Sequence, residues 1–192
     1  TWYDQSGNGN NATQLTAGSQ PKIVDAGVYL GEVDFLDGTN TFLATTNSDL
    51  CNVAELSVFS VLKPHLADSQ VAAFSCGSVI SGSTGYGGWQ LNLNGYLDQA
   101  QLQTQTIGNA SMTSVADTVG GSDTLVSYVA NFPAAAIFAN GQAGGSASSA
   151  ISPNNNNTGR RKFRIGCRYT FTTTSFYTKP IKEIILYTSD QT

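Results

Sequence analysis

The sequence predicts an all-β protein, a two-sheet antiparallel β-sandwich, and three observations carry that prediction. Charged residues make up only 11% of the chain, against about 25% in an average soluble domain. The surface must therefore consist of Thr, Ser, Asn, Gln and Gly, which favour strands, turns and caps over helix interiors. Short apolar or alternating runs recur with turn residues between them. The sequence contains no amphipathic helical pattern of ten residues or more.

The segments with the pattern of β-strands follow one another along the whole chain. In order they are 33–38, 42–44, 56–64, 71–76, 89–95, 102–107, 124–132, 134–140, 163–174 and 181–187. Segment 89–95 alternates apolar and polar residues most clearly, as expected of a strand with one buried face. Segment 134–140 ends in Asn140-Gly141, a strong hairpin signal. Residues 144–157 are rich in Gly, Ser and Asn, and we expect a loop there.

The length of 192 residues predicts one domain, 1–192, and no break in composition divides it. Thr1 is not a natural first residue, so we expect the chain to continue upstream. No apolar run is long enough to span a membrane, and no signal peptide opens the sequence. The net charge of −4 argues against nucleic-acid binding.

Charge is distributed unevenly between the two parts of the chain. Residues 1–159 carry a balance of −9, whereas residues 160–192 carry +5. The basic C-terminal part is interpreted as the solvated face of two strands. The alternative is a docking face for an acidic neighbour, such as the acidic part of another copy.

The cysteines show neither a disulfide framework nor the spacing of a zinc site. There are three of them, Cys51, Cys76 and Cys167. Their odd number leaves room for one disulfide, and we expect three buried thiols.

The opening segment, 1–13, carries a resemblance to known domains. Its Trp-Tyr-Asp-Gln-Ser-Gly-Asn-Gly run resembles the first loop of concanavalin A-like, laminin-G-like sandwich domains, which are common in phage structural proteins and bacterial surface proteins. Segments 56–64, 139–142, 163–166 and 181–187 are similar to later motifs of the same domains, in the same order. The resemblance implies a concanavalin A-like jelly roll. It does not imply an activity, because a fold does not fix function.

The opening segment also resembles part of the catalytic domain of fungal α-L-arabinofuranosidases, which have the same kind of fold. Retaining hydrolysis needs two carboxyl groups about 5 Å apart. The strand that carries the nucleophilic Glu in that family is most similar to 89–95, where Gln90 takes the place of the Glu. An amide is a far poorer nucleophile than a carboxylate and does not titrate as an acid or base. We therefore expect no catalytic residues, and glycoside hydrolysis is kept as the alternative function.

Metal binding has weak candidates in two oxygen-rich stretches, since calcium takes about six to eight oxygen ligands. Asp4 belongs to the first loop, and Asp34 and Asp37 belong to the second stretch. The favoured interpretation is a network of Asx turns that satisfies the loop backbone without an ion. Asp4 then holds the first loop in place. No cofactor is expected, with calcium left open.

The candidate ligand-binding residues lie on and beside segment 89–95, where aromatic and planar polar side chains come together. They are Tyr86, Trp89, Gln90, Asn92 and Asn94. The amides at 90, 92 and 94 alternate on one strand face and could donate and accept hydrogen bonds with sugar hydroxyls. The alternative is that Trp89 belongs to the core and that the amides form an ordinary solvated face.

These observations favour a non-catalytic virion or extracellular module that binds glycans or decorates a particle. The expected partners are other subunits of a virion or surface assembly, including further copies of this chain, with cell-surface glycan as a ligand. Neither nucleic acid nor membrane insertion is expected. The expected location is the virion or the cell surface.

Overall fold

The computed structural model describes residues 1–35, 40–46, 50, 53–63, 70–79, 86–94, 99–106, 109–116, 122–132, 134–147, 162–167, 176–189 and 191. This part of the chain is mostly β-strand, with a 3₁₀ turn at Ala17–Ser19. Among these residues, no helix has the length and hydrophobicity that a membrane span needs.

The strands of the described ranges form two seven-stranded sheets. In spatial order, the first sheet contains β1 (Ala12–Thr13), β4 (Leu43–Thr45), β13 (Lys162–Ile165), β6 (Gln70–Val79), β7 (Tyr86–Asn94), β8 (Gln99–Thr106) and β9 (Asn109–Ala116). The second contains β12 (Gln142–Ala147), β11 (Ala134–Ala139), β10 (Thr124–Asn131), β5 (Glu55–Leu62), β14 (Ile181–Tyr187), β3 (Val28–Asp34) and β2 (Lys22–Asp25). Their ladders are antiparallel. The predicted two-sheet antiparallel sandwich is confirmed.

The core lies between the two sheets and follows the alternation of the sequence. In β10, Val126, Tyr128 and Ala130 are buried, whereas Leu125 on the other face is 41% exposed. Successive side chains of a strand point to opposite faces, so every second residue reaches the core. Leu56, Val58 and Leu62 of β5 fill the same layer. At about 25 cal/mol per Å² of apolar surface buried, such a layer supplies most of the favourable energy of folding.

The two edges of the sandwich differ. At one edge β12 packs against β9, so the sheets close on each other. At the other edge of the second sheet, β2 and β3 form a hairpin whose turn residues, Ala26 and Gly27, have φ of 47° and 84°. Two successive positive φ values are typical of the type I′ turn of two-residue hairpins. The hairpin exposes four apolar side chains: Ile23, Val24, Val28 and Tyr29.

Most strand predictions agree with the structure, and the differences lie in weakly patterned segments. β3 begins at Val28, five residues before the predicted segment 33–38, and it ends at Asp34. β2 and β9 were not predicted, and β12 enters the segment predicted as a loop from residue 144. Segments with modest β-propensity form strands when neighbouring strands supply partners.

The cysteines correct one prediction. Cys76 is disulfide-bonded, so the expectation of three thiols is wrong. Cys167 is a free cysteine, and it is buried. Burial raises the pKa of its thiol to about 12, against the opposing effect of the Arg164 charge. Cys51 lies outside the described residues.

Candidate functional site

Trp89, the predicted aromatic platform, belongs to the core. Its side chain is completely buried, and its ring packs against Phe74, Tyr128 and Phe163 at centroid distances of 6.1, 5.9 and 5.9 Å. The indole Nε1 donates a hydrogen bond to the Leu50 carbonyl oxygen at 3.0 Å. Trp89 therefore has no surface on which a ligand could stack, and its assignment to an exposed binding face is corrected.

The amides of β7 are not on a solvated face either. Gln90 and Asn92 are fully buried on the side of β7 opposite Trp89. In the ladder with β6 they lie opposite Ser75 and Ala72, which are buried as well. Both the predicted binding face and its solvated alternative are thus corrected at these two positions, because the second face of β7 is covered too. Tyr86 and Asn94 lie at the two ends of β7, and their side chains fall outside the described part.

A large groove lies between the first loop, residues 1–11, and strand β14 with the residues that follow it. Its volume is about 980 Å³, near the upper end of the range for ligand pockets. The first loop contributes Trp2, Tyr3, Asp4, Gln5, Ser6, Asn8 and Asn10; the C-terminal side contributes Lys182, Glu183, Ile184, Ile185, Leu186, Tyr187, Thr188 and Ser189; Ala12, Leu50, Val61, Phe163 and Ile165 complete the lining. We call this site the edge groove.

The first loop is closed by backbone pairing and held by one carboxylate. Trp2 and Ala12 exchange two backbone hydrogen bonds, with N···O distances of 2.8 and 3.0 Å. Inside the loop, Asp4 Oδ1 accepts from the Ser6 amide at 2.8 Å and Oδ2 accepts from the Asn10 amide at 2.9 Å. The Asp4 amide in turn donates to Asn11 Oδ1 at 2.9 Å. This is the Asx-turn network that the sequence predicts, and it gives the groove wall a defined shape.

The hydrogen bonds lower the pKa of the Asp4 carboxyl, with the larger effect from Ser6 and the smaller from Asn10. Asp4 therefore stays ionised, with both oxygens engaged by the loop. Asp34, the second metal candidate, ends β3 and does not line the edge groove. Asp37 lies outside the described residues. Within those residues, no group of three His, Cys, Asp or Glu side chains is placed to hold a metal ion.

Replacing Asp4 with asparagine is expected to lower the free energy of unfolding by about 1 kcal/mol near neutral pH, the scale of an exposed capping carboxylate. Asparagine keeps one acceptor oxygen and loses the other. Because the folded-state pKa is lowered, the wild-type advantage is present above the ordinary value of 3.8 and is lost as pH falls through the lowered pKa. Urea unfolding of both proteins across this pH range measures the difference. Asp25→Asn, an exposed carboxylate of β2, is the control, and an Asp4 effect that persists in acid would contradict the account.

The edge groove combines exposed aromatic rings with planar and hydroxylic polar side chains. Tyr3 is 66% exposed and Tyr187 is 44% exposed. Tyr187 also packs edge-on against Phe59, at a centroid distance of 6.4 Å. The groove lining also includes Gln5, Ser6, Asn8 and Thr188, all exposed. Such a surface can stack on an apolar ring face and exchange hydrogen bonds with hydroxyl groups.

The charged residues of the edge groove come from the first loop and from β14. Lys182 Nζ donates to Asp123 Oδ2, and this hydrogen bond raises the lysine pKa. Glu183, next to it, is exposed. Of the lining residues that the structure describes, Asp4 and Glu183 carry the carboxylates.

Solved structures with the same fold include two-sheet sandwiches from animals and bacteria. The mouse laminin α1 chain, domains LG4-5, has a TM-score of 0.61 and 16% identity, covering 93% of this chain and 48% of that chain. The Ruminococcus gnavus IT-sialidase CBM40 has a TM-score of 0.61 and 13% identity, covering 74% of this chain and 80% of that chain. The chain has a concanavalin A-like, laminin-G-like fold.

Other neighbours of this laminin-G-like domain are parts of much longer proteins. The NanB sialidase from Streptococcus pneumoniae has a TM-score of 0.58 and 15% identity over 72% of this chain. This chain spans only 23% of that sialidase chain. No protein-family model matches the sequence, and no curated protein sequence matches it. At these identities, the likeness establishes the fold alone.

The edge groove is a different site from the binding face predicted on β7. The first loop is the most distinctive segment of the sequence. The sequence signal that could have located the groove is an aromatic residue beside a polar loop whose side chains hydrogen-bond the loop's own backbone. Its C-terminal wall could not be found from the sequence, since β14 lies beside the first loop only in the folded sandwich.

Proposed function

We propose that this laminin-G-like domain is a non-catalytic glycan-binding module of a virion or extracellular surface assembly, with the edge groove as its binding site. The observation that carries the proposal is the groove itself, about 980 Å³ in volume, where the exposed Tyr3 stands among amide and hydroxyl side chains. Sugars present apolar ring faces and dense hydroxyl groups, so stacking and planar hydrogen bonding recognise them together.

The fold neighbours support this proposal by analogy. The Ruminococcus gnavus CBM40 has also been solved bound to α2,3 and α2,6 sialyllactose. The Cys76 disulfide supports an extracellular setting, since disulfides persist in oxidising compartments and on virion or cell surfaces.

Replacing Tyr3 with alanine is expected to weaken glycan binding about tenfold, the loss of one stacking contact. A glycan array on the wild-type protein identifies a bound oligosaccharide, and titration calorimetry measures its affinity for each variant. Leu15→Ala is the control, because Leu15 is 93% exposed and belongs neither to the groove lining nor to the β2–β3 hairpin. Equal losses for the two variants, or no binding by the wild type, would refute the assignment.

The non-catalytic part of the proposal is supported by the environment of Asp4, one of the two carboxylates that line the groove. A general acid in glycoside hydrolysis needs a raised pKa, and the pKa of Asp4 is lowered. Its two oxygens also accept hydrogen bonds from the loop backbone. Incubation with arabinoxylan and a chromogenic arabinofuranoside tests the alternative. Turnover that is abolished by Asp34→Asn, Asp37→Asn or Glu183→Gln would establish an arabinofuranosidase-type hydrolase instead.

The assembly part of the proposal rests on the β2–β3 hairpin. The proposed partner of this hairpin is a second copy of the chain. Val24, Val28 and Tyr29 are between 51% and 69% exposed on this hairpin, and β2 is the edge strand of the second sheet within the described residues. An edge strand with apolar side chains readily pairs with another strand. Light scattering after size-exclusion chromatography should show an oligomer that Val24→Glu dissociates. A wild-type monomer at high concentration would refute this part.

A further inference from the structure

The charges along the edge groove are those of a site for uncharged ligands. Its described lining residues include two carboxylates, Asp4 and Glu183, and one amine, Lys182. An anionic ligand binds well where an available cation faces it, preferably in a bidentate geometry. The balance of these lining groups is negative.

The amine does not offset this balance, because its charge is already compensated. Lys182 Nζ is hydrogen-bonded to the carboxylate of Asp123, a residue outside the groove lining. The same contact raises the pKa of Lys182. An anionic ligand would have to break this ion pair or share the lysine with Asp123.

The carboxylates of the groove can also serve a neutral ligand. Asp4 is held ionised by the Ser6 and Asn10 amides. Glu183 is exposed and faces solvent. Ionised carboxylates accept strong hydrogen bonds from hydroxyl groups, whereas they repel the carboxylate of an anionic ligand.

We propose that the edge groove selects neutral glycans and discriminates against glycans that carry a carboxylate, such as sialylated or uronic-acid chains. This inference rests on the proposed function and names the ligand class of the same site. It departs from what the fold neighbours suggest, since the CBM40 structures contain sialyllactose. The difference follows from the groove charges of this chain.

The test compares pairs of glycans in which one member carries an additional sugar with a carboxylate. N-acetyllactosamine is measured against its α2,3- and α2,6-sialylated forms, and arabinoxylan against glucuronoarabinoxylan, by calorimetry or an array at low salt. The neutral member of each pair should bind about tenfold more tightly. The preference should shrink as salt is raised, because exposed charges are screened beyond about 10 Å at 0.1 M.

Variants at Glu183 connect the preference to the groove. Glu183→Lys should move the ratio of sialylated to neutral affinity about tenfold toward the sialylated form, and Glu183→Gln should move it part of the way. The ratio is informative even if either change alters the affinities themselves. Asp25→Lys makes the same charge change on β2, outside the groove, and should leave the ratio unchanged.

The outcomes separate this inference from the proposed function. A neutral preference that Glu183→Lys removes supports the inference. Tyr3-dependent binding that prefers the sialylated member refutes the inference and leaves the glycan-binding proposal standing. Binding to neither member of any pair refutes the proposed function, and the inference with it. An equal shift for Asp25→Lys also overturns the inference, because the effect would then follow net charge.

Discussion

The Trp89→Ala variant is expected to lose about 3–5 kcal/mol of its free energy of unfolding, the range for a large buried aromatic. The indole is fully buried between the sheets and contacts the rings of Phe74, Tyr128 and Phe163. Truncation removes this apolar contact, leaves a cavity, and leaves the Leu50 carbonyl without its indole donor. Chemical denaturation followed by fluorescence or circular dichroism measures the loss.

Leu125→Ala is the control for Trp89→Ala, since Leu125 belongs to the neighbouring sheet and is 41% exposed. Its loss should stay below about 1 kcal/mol. If Trp89→Ala were nearly neutral in stability but abolished glycan binding, the core assignment would be wrong and the binding face predicted on β7 would regain support.

The Gly166→Ala variant is expected to lose about 3 kcal/mol, which combines backbone strain with overpacking. Gly166 has φ of 88°, and an added Cβ would lie 2.5 Å from the Cδ1 and Cε1 atoms of Phe35 and 3.1 Å from the Thr41 carbonyl oxygen. Phe35 is fully buried, so its ring has little room to move. The Gly166 backbone also donates to Ala73 O at 2.7 Å and accepts from the Tyr177 amide at 2.9 Å, which fixes its conformation.

Gly141→Ala separates the two contributions at Gly166. Gly141 has φ of 78°, and nothing lies within 4 Å of an added Cβ. Its substitution should cost only the left-handed strain, about 1–2 kcal/mol. Thermal or urea unfolding of both variants gives the comparison. Equal losses at the two positions would contradict the close contact with Phe35.

The sequence predicts the sandwich because strand alternation is a local signal. The sequences of β10 and β14 each show this alternation. Each strand can therefore be assigned from its own residues, without information from elsewhere in the chain. β12 lacks such a local signal, since its Gly/Ser-rich segment resembles a loop. It forms a strand through its ladder with β11, in which Ala136 lies opposite Ser146.

The candidate site could be predicted only in part, because burial of a second sheet face is a non-local property. Gln90 and Asn92 alternate with apolar residues as in a half-exposed strand, yet both are fully buried. Ser75 on the adjacent strand donates to the Cys167 carbonyl at 2.9 Å, a contact across 92 positions of the chain. No local pattern encodes such a contact. The disulfide of Cys76 was missed for the same reason, since pairing depends on which cysteines the fold brings together.

The first loop was predictable because its hydrogen bonds are local. Asp4 reaches Ser6 and Asn10, two and six residues away. The groove that this loop borders required the structure, since β14 lies near the other end of the sequence.

Amide chemical-shift mapping with the neutral oligosaccharide that binds best on the array shows whether the edge groove is the glycan-binding site. Binding in the edge groove predicts perturbations concentrated at residues 2–10 and 182–189, with turnover of the oligosaccharide absent from the same samples. Perturbations centred on β7, or a spectrum that saturating oligosaccharide leaves unchanged, would contradict it.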